Sequence, residues 1–160
     1  MAEMTTRSRI ERRPIAANEA SLEPVLQIDN AGAFEIIVPY TSPKVTAQVV
    51  ERAAALSAGL NVILKIVAVY VVPYPAELRW PAAMEQHLTL RLAELAEHTN
   101  LPVRTQIVLS RDRSEGFRQV LRPGSAVLLG SSRRFWRTRE EKLARSLTRQ
   151  GHQVSLIRFD

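Results

Sequence analysis

One run of residues limits what this chain can fold into. From Val62 to Val72 the sequence reads VILKIVAVYVV, with Lys65 as its single charge. The run is too short to span a bilayer and too rich in β-branched residues to favour a helix. It does not alternate apolar with polar residues. A strand of this kind must be covered on both faces, as central strands of parallel sheets are. Parallel neighbours need long crossovers, usually helices, so the flanking sequence should supply them.

It does. Phe34 to Pro39 reads as a buried strand that Pro39 ends. Ser42-Pro43 follows as an N-cap with proline at the first helical position. Val45, Val49, Ala53 and Leu56 then recur at helical spacing, and Gly59 marks a stop. After the central strand, a helix from Ala82 to His98 carries the stripe Met84, Leu88, Leu92, Leu95 with Ala96 beside it. Val103 to Val108 reads as a strand. Asp112 and Glu115 have capping-box spacing and open a short helix carrying Phe117, Val120 and Leu121. Arg122-Pro123-Gly124-Ser125 fits a type II turn. Ala126 to Leu129 is a short buried strand ending at Gly130. Thr138 and Glu141 form a second capping-box pattern, starting a helix through Leu143 and Leu147 that stops near Gly151. Val154 to Phe159 alternates as an edge strand would.

The order is strand and helix in strict alternation. The expected fold is α/β: a five-stranded, mostly parallel, doubly wound sheet over residues 33–160. Residues 1–32 are polar, contain Pro14 and Pro24, and read as an N-terminal tail. Within it only Val25-Leu26-Gln27-Ile28 has strand character.

Composition excludes several classes. The chain has no cysteine, so it has no thiolate nucleophile and no Cys-based metal site. His87, His98 and His152 lack metal-ligand spacing and are expected on the surface. No Gly-x-Ser-x-Gly elbow, P-loop or Gly-x-Gly-x-x-Gly is present. The strand ends carry Tyr40 and Pro73 where a phosphoacceptor domain would need acids. No stretch could cross a membrane and the N-terminus lacks a signal-peptide core, so the expectation is a soluble cytoplasmic protein without catalytic machinery. The net charge is +6, and residues 131–160 hold eight basic residues against three acids. That end is where an anionic partner would be sought.

In doubly wound sheets ligands sit beyond the carboxyl ends of the strands. Here those ends are Pro39–Ser42, Val72–Pro75, Ser110–Asp112 and Gly130–Arg137. With these loops in view, the chain resembles the universal stress protein family, whose fold is adenine nucleotide alpha-hydrolase-like. The resemblance lies in Ile37-Val38-Pro39 followed by Thr41-Ser42, in the long second strand ending Val72-Pro73, and in Ala126-Val127-Leu128-Leu129-Gly130-Ser131-Ser132 before the last helix. It covers residues 34–158. Many members bind ATP through an acidic residue after the first strand and a Gly-x2-Gly-x9-Gly-Ser/Thr motif after the fourth. Here the acidic position is Tyr40, and the later motif positions are Arg133, Leu143 and Ala144. Only Gly130 remains.

The resemblance therefore implies a remodelled nucleotide or phosphate site rather than the usual one. Its candidate residues are Tyr40, Thr41, Ser42, Val72, Gly130, Ser131, Ser132, Arg133 and Arg134, with ATP or another adenine nucleotide as the implied ligand. Guanidinium groups would replace the lost backbone cradle. The alternative is that Arg133, Arg134, Arg137, Arg139, Lys142, Arg145 and Arg149 form a solvated face. Trp136 beside Phe135 either stacks on a ligand or packs under the loop. Trp80, Tyr70 and Tyr74 line the crevice or cover the core. The resemblance also implies a homodimer through the last strand, at Val154, Leu156 and Ile157, in a non-enzymatic regulatory protein of stress-response type. Two other readings stand beside it: an Arg-rich nucleic-acid-binding module, and a soluble regulatory domain of a membrane transporter.

Overall fold

The computed structural model describes residues 9–13 in their backbone, and residues 32–132 and 138–160 in full. The five strands read from the sequence all form. They are β2 (Phe34–Pro39), β3 (Val62–Val71), β4 (Val103–Ser110), β5 (Ala126–Ser132) and β6 (Gln153–Phe159). A further strand, β1 (Arg9–Arg13), adds to the edge from within the segment read as a tail. It lies upstream of Val25–Ile28, which falls outside the described residues. Its sequence, RIERR, holds one apolar residue, so no hydrophobic pattern announces it.

The sheet order is β1-β4-β3-β2-β5-β6 and every pairing is parallel. Four helices connect the strands: α1 (Pro43–Leu56), α2 (Ala82–Ala96), α3 (Arg113–Val120) and α4 (Arg139–Arg149). From β2 the chain steps outward to β3 and β4, then returns to the other side of β2 for β5 and β6. That reversal places α1 and α2 on one face and α3 and α4 on the other.

Alternation along each strand divides the core in two. Val38, Leu64, Ile66, Ala68, Ile107 and Leu128 pack with Val49, Ala53, Leu88 and Leu92 under the first helix pair. Ile37, Val67, Val108, Val127 and Leu129 pack with Phe117, Leu143 and Leu147 under the second. β3 is buried on both faces, as its unbroken apolar run requires. β6 is at the edge and contributes to both layers: Val154 and Leu156 to one, Ile157 and Phe159 to the other.

The helices start as the caps dictate. Ser42 Oγ accepts from Val45 N, Asp112 Oδ1 from Glu115 N and Thr138 Oγ1 from Glu141 N. The capping boxes are half-made. The Glu115 carboxylate accepts from Arg118 and Gln119, and Glu141 lies 3.6 Å from Arg158. Gly124, at φ 73°, supplies the left-handed residue of the type II turn.

Two expectations need correction. Leu56 is 61% exposed, and the inward face of α1 is instead Thr46, Val49, Val50 and Ala53. The last turn of α1 reaches the amino end of the sheet, where Phe34 is exposed too. His152 is buried rather than superficial, because the turn after α4 folds it inward and its N–H donates to Leu147 O. His98 stays at the surface, 3.9 Å from Glu51.

Gly130 has a packing role. A Cβ there would stand 2.5 Å from a Val49 methyl, 2.6 Å from a Val45 methyl and 3.0 Å from the Phe159 ring. The first turns of α1 rest directly on the backbone of β5. Gly130→Val is expected to lower stability by about 1–3 kcal/mol through overpacking. Gly130→Ala should cost less, and urea unfolding of the three proteins would check the order.

Candidate functional site

The reversal of strand order lies between β2 and β5. In doubly wound sheets this switch point, at the carboxyl end of the strands, is where a crevice forms. Tyr40, Thr41 and Ser42 follow β2 on one side. Gly130, Ser131 and Ser132 end β5 on the other, so the fold brings these six candidates to one place. Val72 is set apart. It is buried at the end of β3, where its N–H donates to Ser110 O on the β4 side. Arg133 and Arg134, with Phe135, Trp136 and Arg137, lie outside the described residues.

Most polar groups on the β2 side are already used by the fold. Thr41 N–H donates to Thr46 Oγ1 at 3.2 Å, which satisfies a hydroxyl buried under α1. Ser42 is occupied as the N-cap. Tyr40 packs against the α1/α2 core, and its N–H donates to Val67 O. Burial raises the Tyr40 pKa; Arg91 opposes the shift and Glu94 adds to it. The phenol therefore stays neutral at physiological pH and can donate a hydrogen bond.

On the β5 side, Ser131 is buried and its hydroxyl lies 3.1 Å from Thr138 Oγ1. This contact ties the strand end to the start of α4. Ser132 is exposed at the lip of the crevice. Gly130 faces α1, and its missing side chain is needed by Val45 and Val49. Gly130, the one glycine that fits the motif the resemblance implies, thus has a structural reason to be there.

Sequence reasoning missed the charged centre of the crevice. Arg113, at the first position of α3, donates from Nη2 to Tyr40 O at 3.2 Å. It bridges the end of β2 to the helix pair of the opposite face. Burial lowers its pKa, Glu140 raises it and Arg139 lowers it further, so both neighbours come from the first turn of α4. Among the described residues the guanidinium makes that one hydrogen bond and no salt bridge. A partly desolvated guanidinium with donors to spare suits an anion. Its sequence signal was hidden, because Arg113 sat inside a segment already explained as a helix cap.

The neighbouring loop has its own arginine. Arg111 Nη1 donates to the carbonyls of Val72, Pro73 and Ala76 at 3.3, 3.4 and 2.6 Å. Its guanidinium also lies 4.4 Å from the Tyr74 ring centroid. Tyr70 and Trp80 stack at 6.4 Å and cover the α1/α2 core, while Tyr74 is exposed. On α4, Arg139, Lys142, Arg145 and Arg149 are all exposed, and Leu143 and Leu147 hold the inner face. A separate surface cleft between the last turns of α1 and α2, lined by Glu51, Glu97 and His98, opens at the amino end of the sheet, far from the crevice. Among the described residues no group of three His, Asp or Glu side chains could hold a metal. No helix among them is long and apolar enough to cross a membrane.

No protein-family model matches the sequence, and no curated protein matches it significantly. Solved structures do match. A universal stress protein from Archaeoglobus fulgidus superposes with a TM-score of 0.53 at 10% identity, covering 79% of this chain and 93% of that one. A universal stress protein in complex with cAMP matches with a TM-score of 0.47 at 14% identity, covering 81% and 98%. The chain has the universal stress protein fold.

The Ser131–Thr138 contact yields a stability prediction. Thr138→Ala should cost about 1 kcal/mol as a lost cap. Ser131→Ala shares the same hydrogen bond, so the double variant should fall short of the sum by about 0.5 kcal/mol or more. Urea unfolding of the four proteins would measure the coupling.

Proposed function

We propose that this chain is a non-enzymatic regulatory domain that binds a nucleotide or another phosphorylated anion in the crevice between β2 and β5. The observation that carries this reading is Arg113: a half-buried guanidinium held at the switch point with one hydrogen bond and no salt bridge among the described residues. Ser132 at the end of β5 supplies a further hydrogen-bonding group. Arg133 and Arg134 follow directly in the chain and add positive charge. Arginine side chains would take over what backbone amides at glycines do elsewhere. A stress-response role is part of the same proposal and rests on the fold.

A second reading has one observation in its favour. Arg139, Lys142, Arg145 and Arg149 recur every three or four residues, so they form one exposed stripe on α4. Such a stripe suits a nucleic-acid backbone. One experiment separates the two. The protein, freed of nucleotide, is melted with ATP, ADP, AMP, inorganic phosphate and a single-stranded oligonucleotide at two salt concentrations. A ligand at a hundred times its Kd should raise Tm by about 5–10 °C. Arg113→Ala should abolish the shift if the crevice binds. A shift seen only with the oligonucleotide, lost at high salt and insensitive to Arg113→Ala, would move the function to α4. No shift with any mononucleotide or phosphate would reject the crevice reading.

The dimer belongs to the same proposal. Among the described residues β6 pairs on one side only, with β5. Because Val154, Leu156 and Ile157 pack into the two core layers, pairing would run through the β6 backbone of two copies. Ser155→Lys adds a like charge on each exposed edge. It should shift sedimentation from dimer to monomer and change folding stability by less than about 0.5 kcal/mol. An unchanged dimer would place the interface elsewhere.

A further inference from the structure

The opposite edge of the sheet carries a separate observation. β4 is the strand that β1 covers, with Arg9, Ile10 and Glu11 opposite Arg104, Thr105 and Gln106. Those three β4 residues are polar, whereas β3 at the same level reads Lys65, Ile66, Val67 within an otherwise apolar strand. Thr105 and Gln106 are buried, and among the described residues Thr105 Oγ1 and Gln106 Oε1 have no hydrogen-bond partner. A permanently internal strand seldom leaves two polar atoms unsatisfied. An edge strand does carry polar residues, because water serves them when the edge is open. β4 therefore has the composition of an edge, although it stands second in the sheet.

β1 is built to be a weak cover. It is five residues long, with one apolar residue among four charged ones. Twenty residues separate Arg13 from Phe34. Fully extended they reach roughly 65 Å. The return within one molecule needs far less: about 14 Å across three strand spacings and about 20 Å along the sheet. The number of residues between the two strands therefore does not by itself confine β1 to its own molecule.

We propose that the β4 edge is a strand-acceptor site, filled in its own molecule by Arg9–Arg13 and able to take the same segment of a second copy in parallel register. The partner is another copy of this chain, recognised through backbone hydrogen bonds and through the register that aligns residue 9 with residue 104. Pairing within one molecule dominates in dilute solution, since the two strands belong to one chain. Exchange between copies grows with protein concentration. It uses neither the crevice nor β6.

The absence of cysteine makes the test clean. Cα partners in adjacent strands lie within disulfide reach. Full-length Arg9→Cys and Arg104→Cys proteins, one carrying a mass tag, are mixed at rising concentration under mild oxidation. The control is Arg9→Cys with Ser155→Cys, which pairs β1 with the far edge. The expected result is a mixed disulfide dimer at least about tenfold above the control, its share rising with concentration. The Arg9→Cys/Arg104→Cys double variant, dilute, should close within one chain. Should Arg104→Cys fail to fold, Glu11→Cys with Gln106→Cys reads the same register. A mixed dimer no more abundant than the control overturns exchange between copies. Failure of the double variant to close overturns the acceptor site itself.

Discussion

Burial of β3 on both faces is the constraint from which the rest of the architecture follows. A strand with apolar side chains on each face cannot lie at a surface, so it needs a helix layer above and another below. One chain can build both layers only by reversing the direction in which strands are added. The reversal here occurs at β2, with β3 and β4 on one side and β5 and β6 on the other. The same reversal opens the crevice. The need to bury Val67 and Ile66 in different cores and the position of the candidate site are two results of one topology.

At the candidate site, the fold already uses many of the polar groups. Gly130 is committed to α1, Thr41 and Ser42 to the start of that helix, and Ser131 to the start of α4. A backbone cradle for phosphate has little left to work with. Arg113 differs because its charge is partly buried while, among the described residues, most of its donors are unspent. The desolvation that lowers its pKa also strengthens its attraction for an anion, since water screens it less. In the proposed reading, that side chain would do what backbone amides at glycines do in other phosphate sites.

The helix caps and the turn were legible because their chemistry is local. Ser42, Asp112 and Thr138 each accept from an amide three residues on, and Pro123-Gly124 sets a turn within four residues. Leu56 was misplaced because periodicity reports which side of a helix faces inward, not where the sheet beneath it ends, and His152 because the turn after α4, not its place near a helix end, decides its burial. β1 escaped notice because its pairing is made by backbone groups, which every sequence possesses. Arg113 escaped because its significance depends on Tyr40, Arg139 and Glu140, none of them near it in the chain.

The sequence by itself determined the alternation of strands and helices, the two-sided burial of β3, the edge character of β6 and the absence of a glycine-rich phosphate motif after β5. These follow from side-chain period, from caps and from the residues present. Tertiary structure alone decided the strand order, the addition of β1 to β4, and the meeting of Tyr40, Ser131 and Arg113 at one crevice. It also decided that Gly130 is required by packing. Each of these depends on contacts between residues distant in the chain, and such contacts are set by how two helix layers close over one sheet.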